Sequence, residues 1–179
     1  MTAASFAVDR DADPADTRSM GFQETELVLL TADLAGFARA AAAMTPVEVA
    51  ELLDGWYRAL EAEIGGRGGR VVKYMGDGCL ATFPGEACAA AVDAARALLV
   101  HRAGDREIRV GVKVHVGTVA EGEVGPDRRY DIFGSAVNDL FRMGRAGTVL
   151  ISEAVHRRLP VEQGTAWQAQ STPAIYALR

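Results

Sequence analysis

An α+β fold on a mostly antiparallel sheet is predicted by three observations in this 179-residue sequence. Glu26-Leu27-Val28-Leu29-Leu30-Thr31-Ala32 is a continuous apolar run of strand length, the pattern of a central strand buried on both faces. Arg70 to Met75 and Cys79 to Phe83 read as the two arms of a hairpin with Gly76-Asp77-Gly78 at its tip. The remaining elements complete the order strand, helices, hairpin, helix, strand, strand, helix, strand, which places helices on one face of the sheet and fits a ferredoxin-like core.

Residues 1 to about 22 are rich in Ala, Asp, Thr and Ser and lack a hydrophobic period, which predicts a flexible leader before one domain spanning 23–179. Thr45-Pro46-Val47-Glu48 is a helix start, with Thr45 as N-cap, Pro46 in the first turn and Glu48 closing a capping box. Val49, Leu52, Leu53, Trp56, Leu60 and Ile64 then repeat at helical spacing until Gly65-Gly66 stop the helix, and the whole stripe, Trp56 and Tyr57 included, reads as core packing. After the hairpin, Pro84-Gly85 break the strand. An alanine-rich helix from about Glu86 to Val100 buries Cys88, Val92, Ala95 and Leu99. Along Ile108 to Gly117, Val110, Val112, Val114 and Val116 share one face while Arg109, Gly111, Lys113 and His115 share the other, where polarity meets a site or solvent. The chain turns through Glu121 to Pro126, returns as Arg129 to Phe133, and Gly134-Ser135 open a short helix to about Met143. Thr148 to Ile151 form a further buried strand, Ser152 caps a last short helix that Pro160 terminates, and the tail from Trp167 supplies one or two edge strands.

The bulk numbers exclude several functions. A net charge of -5 gives no basic footprint for a nucleic-acid backbone. No apolar run approaches the roughly 20 residues of a membrane span, and Asp9, Arg10, Asp11 and Asp13 stand where a signal peptide would be apolar. Cys79 and Cys88 lack metal-ligand spacing and read as reduced, buried thiols. Together these predict a soluble, cytoplasmic protein.

Chemistry concentrates at the glycine-bearing turns. Asp33 and Asp77 can converge on a pair of divalent ions if the first strand lies beside the hairpin, a donor set that suits magnesium with phosphate oxygens completing the shell. Backbone amides around Gly36 and Phe37 suit phosphate oxygens, which points to a nucleoside triphosphate. Lys73 donates and Asp131 accepts, and that pair fits the pairing edge of adenine. It excludes guanine and uracil better than cytosine. Asn138 and Arg142, four apart, project from one face of their helix.

From about Glu24 to Leu159 the chain resembles the catalytic domain of the class III nucleotidyl cyclases, the adenylyl and guanylyl cyclase family. Three segments carry the resemblance: Thr31-Ala32-Asp33-Leu34-Ala35-Gly36-Phe37, Val72-Lys73-Tyr74-Met75-Gly76-Asp77, and Arg129-Tyr130-Asp131-Ile132-Phe133-Gly134 through Asn138 to Arg142. It implies conversion of ATP to 3′,5′-cyclic AMP and pyrophosphate with two Mg2+ or Mn2+ ions on Asp33 and Asp77. It further implies Lys73 and Asp131 as the adenine-selecting pair, Asn138 as the ribose-orienting residue and Arg142 as the transition-state arginine. A homodimer with two equivalent sites follows from the family's head-to-tail pairing.

The sequence also departs from that family. An arginine often found four residues before the His of the strand Val114-His115-Val116-Gly117 is here Gly111, leaving Arg109 or Lys113 to meet the terminal phosphates. Asp139 and Phe141 replace small or aliphatic residues, and Ala38 replaces a common hydroxyl. Two alternatives therefore stand beside the adenylyl cyclase: a cyclase using CTP, and a cyclase-like nucleotide-binding regulatory module with weak or no turnover. Regulation is expected from a separate protein, or from other parts of a longer chain.

Overall fold

The computed structural model describes residues 21–101, 109–144, 147–164, 166–170 and 175–178. The predicted leader lies almost wholly outside these residues. At its end, Phe22 packs edge-on against Phe133, with ring centroids 5.8 Å apart.

In chain order the elements are β1 (Gln23–Ala35), α1 (Phe37–Ala41), α2 (Pro46–Gly65), β2 (Arg70–Met75), β3 (Gly78–Pro84), α3 (Cys88–Leu99) and β4 (Arg109–Val124). They continue with β5 (Arg129–Phe133), α4 (Ser135–Arg142), β6 (Val149–Ser152), α5 (Glu153–His156), α6 (Val161–Gly164), β7 (Trp167–Ala169) and β8 (Ile175–Leu178). The sheet order is β2-β3-β1-β4-β6-β8-β7, with β5 on β4. Among the described pairings only β4 with β6 is parallel. An α+β class with a mostly antiparallel sheet is thus what the chain adopts.

β1 is longer than its apolar run. It pairs with β3 from Leu27↔Pro84 to Ala32↔Cys79 and with β4 from Gln23↔Glu121 to Ala35↔Arg109, and hydrogen bonding carries the strand past the buried segment at both ends. Asp33 therefore stands within the strand, and the turn comes at Gly36, whose φ of 90° favours glycine. β4 also outlasts its expectation. The stretch from Glu121 to Val124, predicted as turn, is strand because it pairs with β5; Ile108 falls outside the described residues.

Both faces of β1 are buried, and both are covered. Val28 and Leu30, with Val112 and Val114, pack beneath α2 and α3. Leu29, Leu80 and Ile132, on the other face, pack beneath Ala136 and Leu140 of α4. This corrects the expectation of helices on one face only: a central strand apolar on both sides leaves neither side free to meet water.

Thr45 caps α2 as predicted, its hydroxyl accepting from the Glu48 amide while the Glu48 carboxylate accepts from the Thr45 amide at 2.7 Å. Of the predicted stripe, Trp56, Leu60 and Ile64 are buried, but Val49, Leu52 and Leu53, in the first half of α2, are only half-buried, with Leu52 packed against the core. α3 buries Leu98 where Leu99 was expected. The tail contributes two strands, with β7 at the edge and β8 inside it. Both cysteines are buried and free, and no helix among the described residues is long and apolar enough to cross a membrane.

Candidate active site

The hairpin β2–β3 and strand β1 bring Asp33 and Asp77 together. The amide of Leu34, next to Asp33, donates to Asp77 Oδ2 at 3.3 Å. Gly78 sits so close to β1 that a Cβ there would lie 3.1 Å from the Ala32 carbonyl oxygen and 3.8 Å from Asp33 Cβ. Burial raises the Asp33 carboxyl above its ordinary pKa, Lys113 opposes the shift and the neighbouring Asp77 charge adds to it. Two carboxylates in a partly buried notch are a donor set that a divalent cation relieves, and Mg2+ uses one or two carboxylates when phosphate and water supply the rest. No group of three or more His, Cys, Asp or Glu side chains that could hold a metal ion occurs among the described residues.

Lys73 and Asp131 also meet. The strands bearing them are far apart in sequence, yet Lys73 Nζ donates to Asp131 Oδ2 at 2.7 Å while the other carboxylate oxygen accepts from the Ile132 amide at 2.8 Å. A register shift between Val71 and Lys73 makes a bulge in β2, the kind of irregularity that re-aims a side chain beside a site. The pair lines a cleft of about 580 Å³, together with Tyr74, Pro126 and Arg129.

α4 presents Asn138 and Arg142 on its exposed face. Arg142 lies 3.9 Å from Asp139, in an ion pair whose side chains are 78% and 55% exposed. Gly36 directly follows the end of the strand bearing Asp33 and is the N-cap of α1, which begins at Phe37. Lys113 and Arg109 have different fates. Lys113 is buried and its amine donates to the Phe141 carbonyl at 3.2 Å, capping the end of α4. Arg109 is exposed at the start of β4. Behind Lys113, burial lowers the His115 pKa and Asp139 partly offsets it.

Two residues read from sequence as packing alone reach the site. Trp56 Nε1 donates to the Asp77 carbonyl at 3.0 Å, and the Tyr57 hydroxyl donates to the Gly76 carbonyl at 2.5 Å. A polar atom on each ring, placed next to a hairpin that must present a carboxylate, was the available signal.

The fold thus gathers a carboxylate pair, Asp33 with Asp77, at one turn and a separate donor–acceptor pair, Lys73 with Asp131, on the wall of a cleft. The chain belongs to the adenylate and guanylate cyclase catalytic domain family, whose model matches residues 22–174. It is 29% identical to an adenylate cyclase of Anabaena cylindrica, over 74% of this chain and 30% of the relative. It is 30% identical to guanylate cyclase 32E of Drosophila melanogaster, over 75% of this chain and 13% of the relative. The chain thus spans less than a third of the length of either curated relative. The fold is similar to that of the adenylyl cyclase CyaB from P. aeruginosa, with a TM-score of 0.76 at 20% identity, over 89% of this chain and 96% of that one. Adenylyl and guanylyl enzymes both occur among these similar proteins.

Proposed function

We propose that the protein is an adenylyl cyclase, converting ATP to 3′,5′-cyclic AMP and pyrophosphate at the interface of a homodimer. The Lys73–Asp131 pair carries the choice of base. Its ammonium offers only donors and its ionised carboxylate only acceptors, which complements the ring nitrogen and amine of adenine and opposes guanine at both positions. Asp33 and Asp77 hold the divalent cations, Mg2+ or Mn2+. With such ions bound there beside the nucleotide's phosphates, the chemistry supplied would be neutralisation of phosphate charge and acidification of the ribose 3′-hydroxyl.

The chain's own groups do the rest. Gly36 and Phe37 meet phosphate oxygens with their amides, Asn138 orients the ribose, and Arg142 stabilises charge at the α-phosphate, a contribution on the order of 3 kcal/mol at the barrier for a donor of this kind. Arg109, exposed while Lys113 is committed to α4, meets the terminal phosphates. Dimer formation is supported by exposed apolar groups on the same elements that carry Lys73, Asp131 and Arg142: Tyr74 and Met75 of β2, each 38% exposed, Phe133 of β5, 44%, and Phe141 of α4, 41%.

Incubation of the purified chain with Mn2+ and each of ATP, GTP, CTP and UTP tests the reading. Cyclic AMP as the dominant product is expected; a preference for GTP or CTP would show that the Lys73–Asp131 pair does not read the base as argued. A second reading, a regulatory module with little turnover, is favoured by Asp139, which engages Arg142 at 3.9 Å. Nucleotide binding by calorimetry without any cyclic product would support it.

A further inference from the structure

We propose that Trp56 and Tyr57 are positioning residues for Asp77: consecutive side chains of α2 grip consecutive carbonyls of the hairpin tip and fix where the Asp77 carboxylate points. The proposal rests on the reading of Asp77 as a metal ligand. The tip needs holding because β2 is the edge strand and the turn between Met75 and Gly78 has only two residues, with Gly76 at a φ of 63°. Reorientation of the two peptides that flank Asp77, Gly76–Asp77 and Asp77–Gly78, would swing the carboxylate away from Asp33. The carbonyl of each is engaged from α2, that of Asp77 at 3.0 Å by the indole and that of Gly76 at 2.5 Å by the phenol.

The gripping side chains are themselves fixed. Trp56 is 2% exposed. Tyr57 stacks on Tyr74 with centroids 4.0 Å apart and ring planes 21° apart, and the Tyr74 hydroxyl donates to Glu61, also on α2, at 2.6 Å. On the other side, the Leu34 amide holds the carboxylate itself at 3.3 Å. Asp77 is therefore clamped through its main chain by α2 and through its side chain by β1. Packing alone would be served by Phe at either position; the N–H and O–H add direction, which a metal-binding group needs to within about 0.5 Å.

Loss of groups that orient a metal ligand commonly costs about 10- to 100-fold in metal affinity. The test is a titration of the full chain with Mn2+ in the presence of a non-cyclisable ATP analogue, following free Mn2+ by electron paramagnetic resonance, for wild type, Asp77→Asn, Trp56→Phe and Tyr57→Phe. Asp77→Asn is expected to lose the high-affinity Mn2+, and each aromatic variant to weaken it about tenfold. The Mn2+ concentration for half-maximal rate should shift more than the maximal rate. Loss in Asp77→Asn with unchanged Mn2+ binding in both aromatic variants would overturn the positioning role alone. Unchanged binding in Asp77→Asn would overturn the metal reading itself. Should Trp56→Phe fail to fold, Tyr57→Phe, which deletes one oxygen from a half-buried ring, decides the matter.

Discussion

Breaking the Lys73–Asp131 pair should cost more from one side than from the other. Lys73 is 41% exposed and Asp131 only 19%, so the two partners lose different things when left alone. Lys73→Met strands a mostly covered carboxylate that retains just the Ile132 amide as a protein donor, and an unpaired group of that kind costs about 1 kcal/mol or somewhat more. Asp131→Asn leaves an amide oxygen able to accept from both the Lys73 ammonium and the Ile132 amide, and the lysine can also bend into water. Its cost should be about 0.5 kcal/mol or less. The coupling from a double-mutant cycle should then lie at about 0.5–1 kcal/mol and shrink in high salt. Urea denaturation of wild type, both single variants and the double variant at neutral pH measures all of it. A costlier Asp131→Asn than Lys73→Met, or zero coupling, would refute the pairing as described.

Further outcomes are expected elsewhere. Thr45→Ala removes one half of the capping box on α2 and should destabilise the protein by about 1 kcal/mol in denaturant titration. Asp33→Asn should abolish cyclase activity yet raise the melting temperature in EDTA at neutral pH, because burial opposes the charged carboxylate in the metal-free protein. The sign follows from the raised pKa: charged Asp33 costs stability above its folded pKa, and the cost vanishes as pH falls and the native state takes up the proton. The stabilisation should accordingly shrink toward acid, and a gain that grows instead would contradict the assigned burial. Burial pushes the Cys79 thiol up to about 12, so a thiol reagent at pH 8 should label it only as fast as the protein opens, a rate that rises with denaturant.

Most of the sheet was legible because β1, β3 and β4 announce themselves by apolar runs and period-two faces, and α2 by a capping box confined to four residues. What sequence left open depended on pairing. The ends of β1 and β4 are set by hydrogen bonds to partner strands, which carry them beyond their apolar segments to Ala35 and Val124. The second helical layer was implicit in β1, whose Val28 and Leu29 both demand cover, but the face taken by α4 is fixed only by packing. Asp33 lies beside Asp77, and Lys73 beside Asp131, at positions that glycine turns and an out-of-place lysine in an apolar strand mark locally in the sequence. The role of Lys113 was not legible. A lysine on the polar face of β4 looks available to phosphate until α4 is laid over it and its ammonium is taken by the Phe141 carbonyl.

In the homodimer proposed above, head-to-tail pairing would make the hairpin bridge two sites, with Lys73 serving one beside Asp131, Asn138 and Arg142 and Asp77 serving the other beside Asp33. The decisive measurement is cyclic AMP synthesis by a Lys73→Ala variant mixed with an Asp77→Ala variant, each of which is expected to be inactive alone. One site of the mixed dimer retains every residue, and cyclic AMP synthesis should return in the mixture. Two folded, subunit-exchanging variants that remain inactive together would contradict that arrangement.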